Sequence, residues 1–173
     1  MKNNETIEIR MAEHKEAAAI SALIYDAFVD ERPQYTDGAF VITTPGVAEI
    51  EERIKNKTVW VAISNDLILG TVSCITKGEG LFIRSVAVDR AARRKGIARM
   101  LMNHAERLAL ENDCRYLKLT TTAFLLPACN LYESLGFKHN GFEMLYGTEL
   151  VKLKKILSPF SSKIKLQKHD HVK

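Results

Sequence analysis

The stretch Arg93-Arg94-Lys95-Gly96-Ile97-Ala98 follows an apolar run, Leu81-Phe82-Ile83-Arg84-Ser85-Val86-Ala87-Val88, and opens an amphipathic pattern that continues to about Glu111. The run has the length and residue types of a buried strand. After the glycine, Ile97, Met100, Leu101, Ala105, Leu108 and Ala109 fall on one face of a helix. A strand, a basic turn bearing glycine and a helix together offer unpaired backbone N–H groups to a phosphate. Cations crowded at a helix N-terminus oppose its dipole, and an anion between them removes that conflict. Gly96 leaves the approach free of a side chain.

A second segment lies about thirty residues on: Ala128-Cys129-Asn130-Leu131-Tyr132-Glu133-Ser134-Leu135-Gly136-Phe137. It reads as a short helix from Pro127 to Leu135, stopped where Gly136 turns left-handed. Phe137 can then fold back on Leu131 or Tyr132. The spacing Arg93-x-x-Gly96-x-Ala98 resembles the acyl-CoA pyrophosphate loop of the GNAT superfamily of N-acetyltransferases. The ending Tyr132-x-x-x-Gly136-Phe137 is similar to the signature helix of the same superfamily. Two ordered motifs are far more specific than either alone. The likeness is close over residues 81–137, and residues 1–80 and 138–157 agree in element order.

The resemblance implies an α/β (α+β) fold, with a central mixed, mostly antiparallel sheet of about seven strands flanked by about four helices. It implies acetyl-CoA as cosubstrate and no metal. It assigns the pyrophosphate to the amides of Arg94, Lys95, Gly96, Ile97, Ala98 and Arg99, with the cationic side chains of Arg93, Arg94, Lys95 and Arg99 around it. In this family the strand 81–88 bulges and splays from its parallel neighbour, here 116–121. The opened backbone then pairs with the pantetheine arm at Val86 and Val88, and the Val86 backbone is the candidate oxyanion contact. Tyr132 matches the family's general acid, a phenol that protonates the departing thiolate. Leu125 stands where many relatives carry an Asn, so that side-chain contact to the cofactor arm is not expected from this position; Asn130 is the candidate replacement.

At 173 residues, with 46% apolar and 27% charged residues, one domain with a real core is expected, spanning 1–157. Residues 158–173 form a basic tail that carries +3 of the net +4 charge, through Lys163, Lys165, Lys168 and Lys173 against Asp170. The body is therefore near neutral, and no nucleic-acid surface is expected. No run approaches the roughly 18 apolar residues of a membrane span, so no membrane partner is expected. The first residues lack the apolar core of a secretory signal. Cys74, Cys114 and Cys129 show neither a disulfide frame nor metal-ligand spacing, which fits a reducing cytoplasm.

The rest of the chain reads as a strand at 6–11, a helix at about 14–28 and a loop over 29–44. Thr44-Pro45 then opens a helix carrying Val47, Ile50 and Ile54. Strands follow at 59–63 and 67–75, turned by Asn65-Asp66, and later at 116–121, about 137–146 and 149–156. The last strands could pair with a copy of themselves as a homodimer.

The expected reaction is direct attack of a primary amine on acetyl-CoA in a ternary complex. The amine belongs to a small molecule, a protein N-terminus or a lysine. Acids and aromatics mixed between Tyr25 and Asp37 suit a cationic acceptor, whereas Arg84 suits one bearing a carboxylate. Glu79, Glu31 and Asp30 are candidate bases. His104 reads as bordering the core, and Cys129 as a buried thiol near Tyr132. Two other classes stand as alternatives: a non-catalytic acyl-CoA-binding regulatory module on the same fold, and nucleic-acid binding through the tail. A P-loop and a dinucleotide-binding glycine pattern are both absent from the sequence.

Overall fold

The computed structural model describes residues 6–157. The expected basic tail at 158–173 lies outside them. Seven strands form one sheet in the order β1-β2-β3-β4-β5-β7-β6. They are β1 Glu8–Met11, β2 Val59–Ser64, β3 Leu67–Lys77, β4 Gly80–Val88, β5 Tyr116–Thr121, β6 Lys138–Leu145 and β7 Thr148–Ile156. Among the described residues only β4 and β5 run parallel. Their connection is the helix α4, Ile97–Glu111, the long crossover that parallel neighbours require.

Two apolar clusters cover the sheet. Under α4 lie Ile97, Leu101, Met102, Ala105 and Ala109, packed on Val72, Ile83, Leu117 and Leu119. The helices α1 (Ala17–Phe28) and α3 (Val47–Lys55) place Ile20, Leu23, Ile24 and Ile50 on Val59, Val61 and Ala87. Each fully buried Leu or Ile contributes roughly 1.5–3 kcal/mol relative to leaving it exposed. Among the described residues no helix is long and apolar enough to cross a membrane.

The loop expected over 29–44 is folded. A 3-10 turn spans Val29–Gln34, and α2 spans Asp37–Thr43. Thr36 caps α2 by accepting the Ala39 N–H at 3.3 Å. Asp37 sits in the first turn, where a negative charge suits the dipole. Ala39 and Phe40 are buried beneath it. Among the described residues the flanking helices therefore number five, α5 being Leu126–Ser134.

Thr44 closes α2 instead of opening α3, because its hydroxyl donates to the Phe40 carbonyl at 2.7 Å. Gly46 is the residue that caps α3. On α3, Val47 is exposed, and Arg53 occupies a buried position beside Ile50. The hairpin β6–β7 is tied to α2 from below. The Thr36 N–H donates to the Thr148 hydroxyl at 3.0 Å, and the Thr36 hydroxyl donates to the Tyr146 carbonyl at 2.8 Å.

Candidate active site

Between β4 and α4 the chain makes a 3-10 turn at Arg90–Ala92 and then the loop 93–96. Arg94 has φ +64° and Gly96 has φ +79°. A Cβ at Gly96 would meet no atom within 4 Å, so the left-handed backbone is what requires glycine there. The first amide after Arg93 to find a backbone acceptor is that of Met100, bonded to the Gly96 carbonyl at 3.0 Å. The N–H groups of residues 94–99 are left free among the described residues, at the positive end of a fifteen-residue helix. The Arg94 and Lys95 side chains make no ion pair among the described residues. Arg99 donates to the Ser134 hydroxyl at 2.8 Å, and Arg93 reaches the Ala27 carbonyl at 3.5 Å.

β4 leaves its neighbours in two steps. Thr71 pairs with Ala87 and Ser73 with Arg84, so Ser85 and Val86 together face Val72 across a bulge. Ser85 takes φ +54° at that point. On the other side, pairing with β5 stops at Ile83 and Leu119. Beyond it the parallel strands separate, and a cavity of about 1100 Å³ opens between them. Val86, Val88, Arg93, Arg94, Gly96, Ile97, Ala98, Arg99, Asn130 and Tyr132 all line it. Lys95, expected beside them, is exposed and is not among the lining residues.

Tyr132 enters from α5. The helix ends in a Schellman pair, with Phe137 N–H on the Tyr132 carbonyl at 3.1 Å and Gly136 N–H on Glu133 at 3.0 Å. That closure brings the Phe137 ring edge-on to Tyr132 at 6.0 Å. Tyr132 is 7% exposed, and its hydroxyl has no hydrogen-bond partner among the described residues. Burial pushes its phenol well above the ordinary value, and Cys129 adds to the push. Cys129 itself turns away, toward the Thr122 carbonyl at 3.5 Å, and lines a separate, smaller hollow. Leu125 lines the main cavity.

The model of the acetyltransferase (GNAT) family matches residues 19–137. The chain belongs to that family. Its curated relatives include an N-acetylaspartate synthetase of Xenopus tropicalis, 38% identical over 84 residues, a match covering 47% of this chain and 31% of that protein. A streptothricin acetyltransferase of Escherichia coli is 34% identical over 62 residues, 36% of each chain. The chain thus spans about a third of the length of the curated relatives it matches. Among solved structures, a PaiA N-acetyltransferase of Thermoplasma acidophilum in complex with coenzyme A superimposes with a TM-score of 0.75 at 13% identity, over 88% of this chain and 99% of that one. At that identity the likeness speaks for the fold.

In this GNAT chain the far end of the cavity is walled by the segment expected as a loop. Edge-on ring contacts run from Tyr25 to Phe40 at 5.8 Å, on to Tyr35 at 5.9 Å, and on to Phe124 at 4.9 Å. Burial raises the Tyr35 phenol above its ordinary value. Of the three candidate bases, Glu31 lines the cavity; Glu79 pairs with Arg115 at 3.3 Å, and Asp30 pairs with Arg90 at 2.6 Å. Sequence reasoning missed Glu143 on β6 and Arg53 on α3, which both line it. Neither sits in a motif, and only the packing of distant elements brings them in. His104 borders the core as expected, 5.6 Å from Trp60, with burial holding its pKa down.

Proposed function

We propose that residues 1–157 form a single acetyltransferase domain that moves an acetyl group from acetyl-CoA to a primary amine by direct attack. The observation that carries this reading is the parted β4 and β5, with free N–H groups of α4 at one end of the opening and the Tyr132 side chain on its wall. The site fits the cosubstrate: the amides of 94–99 and the side chains of Arg93, Arg94 and Arg99 suit the phosphates. The opened edge of β4 at Val86 and Val88 suits the amides of the pantetheine arm. Asn130 offers one further polar contact.

The amine lone pair attacks the thioester carbon. The Val86 backbone stabilises charge growing on the oxygen. Tyr132, kept protonated by burial, donates to the departing sulfur. Glu31 and Glu143 have no cationic partner among the described residues, and either can take the amine's proton, directly or through water.

Thermal unfolding with acetyl-CoA or CoA, against NADH and ATP as controls, tests the reading. A ligand at 100 times its Kd adds about 2.7 kcal/mol, or roughly 5–10 °C for a chain of this size. A selective rise with the CoA ligands, followed by thiol release when amines are added, supports the enzyme. A rise without release from any amine favours a binding module. No rise sinks the reading.

A further inference from the structure

We propose that the acceptor end of the cavity takes an amine that also bears a carboxylate, a free amino acid, with the acid group held by Arg84 beside Arg53. This rests on the acetyltransferase reading above.

Arg53 reaches the cavity wall from α3 and is only 5% exposed. One terminal nitrogen donates to the Ser85 hydroxyl at 2.9 Å, and the other pairs with Glu49. Its Nε–H is buried with no partner. An unmade hydrogen bond on a buried charged group is expensive, and it marks a place where an acceptor belongs. Arg84 precedes Ser85 at the start of the bulge and lines the same cavity. It makes no hydrogen bond or ion pair among the described residues. Burial, and then the charge of Arg53, hold its pKa below the ordinary value.

Two guanidiniums therefore share one wall with Glu49, whose side chain is 49% exposed, as the single carboxylate bonded to either. A carboxylate between them would relieve the repulsion and meet a planar fork of donors. The phosphates do not need this pair, because Arg93, Arg94 and Arg99 stand in and after the loop that opens α4 and line the same cavity. Glu31 and Glu143 line the same cavity and suit an ammonium. A cation site and an anion site in one pocket describe an amino acid better than a polyamine or an aminoglycoside. The bulge places Arg84 and Ser85 directly before Val86, so the acid group would sit close to the reacting amine.

The test measures CoA release from acetyl-CoA with the twenty amino acids, their carboxamides, the matching decarboxylated amines and short peptides. The expected result is a free acid turned over at least tenfold faster, by kcat/KM, than its amide. Arg84→Met strands no partner, so it should fold. It should lower kcat/KM for the acid by about ten- to a hundredfold, mainly through KM. It should also erase the preference for acid over amide, while the thermal shift with acetyl-CoA stays as in the parent. Amides, peptides or plain amines used as well as acids would overturn the proposal. So would a preference that survives in Arg84→Met, or no release from any acid while acetyl-CoA still raises the Tm. Loss of the acetyl-CoA shift in the parent protein is a different failure, that of the acetyltransferase reading itself.

Discussion

Replacing Tyr132 by Phe removes one oxygen from a nearly closed site. The ring is 7% exposed, and its packing on Phe137 at 6.0 Å does not involve the hydroxyl. The hydroxyl also has no protein partner to strand among the described residues. Stability should therefore change by less than about 1 kcal/mol, within roughly 2–4 °C in Tm. Catalysis should change far more. A positioned general acid contributes about 10²–10⁴-fold, equivalent to ~3–5 kcal/mol of barrier. The assay is thiol release under saturating acetyl-CoA, with acetyl-CoA affinity measured separately. The expected outcome is kcat lower by at least a hundredfold with affinity within about threefold. The phenol must be protonated to act, and burial raises its pKa above the ordinary 10.0. Ionisation of this group should thus cost no activity between about pH 7 and 9, and the loss should come only as pH rises above its raised value. A Tyr132→Phe variant that keeps kcat within about threefold of the parent would refute the acid role.

Gly96→Ala forces a side chain into φ +79° at the cap of α4. That costs about 1–2 kcal/mol of stability, readable by urea denaturation, and acetyl-CoA affinity should fall at least tenfold as the loop amides shift. Unchanged affinity would mean that the phosphates bind elsewhere. Glu16→Gln tests the clasp between β1 and the turn before α1. The Arg10 guanidinium, bonded at 2.7 and 3.0 Å, holds the Glu16 carboxyl below its ordinary 4.5, with burial opposing and the Glu13 N–H assisting. A depressed carboxylate pKa contributes stability above its unfolded value and loses it as pH falls through the folded one. The variant should melt about 2–4 °C lower at pH 7, and the gap should close as pH drops below about 4. A gap that persists in acid would assign the effect to packing.

The element order and the loop that opens α4 were legible in the residues because they are local. The apolar run 81–88, the glycine at 96 and the face of α4 need only short-range spacing to be read, and the Tyr132–Phe137 closure is a cap formed within six residues. The helix at Asp37–Thr43 was less legible, although Thr36 and Asp37 carried a capping signal. Its stability comes from burying Phe40 and from Thr36 bonds to Tyr146 and Thr148, more than a hundred residues away. At the other end of the cavity the sequence offered Glu31 and Arg84, and the tertiary structure supplied the rest. Arg53 meets Ser85 across 32 positions, and Glu143 arrives on the hairpin. Lys95 stays out of the lining although its neighbours on both sides line the cavity. Capping and periodicity act over one or two turns of chain, so a sequence displays them. A pocket wall is assembled from elements that meet only when the sheet bulges and parts, and no local pattern records that meeting.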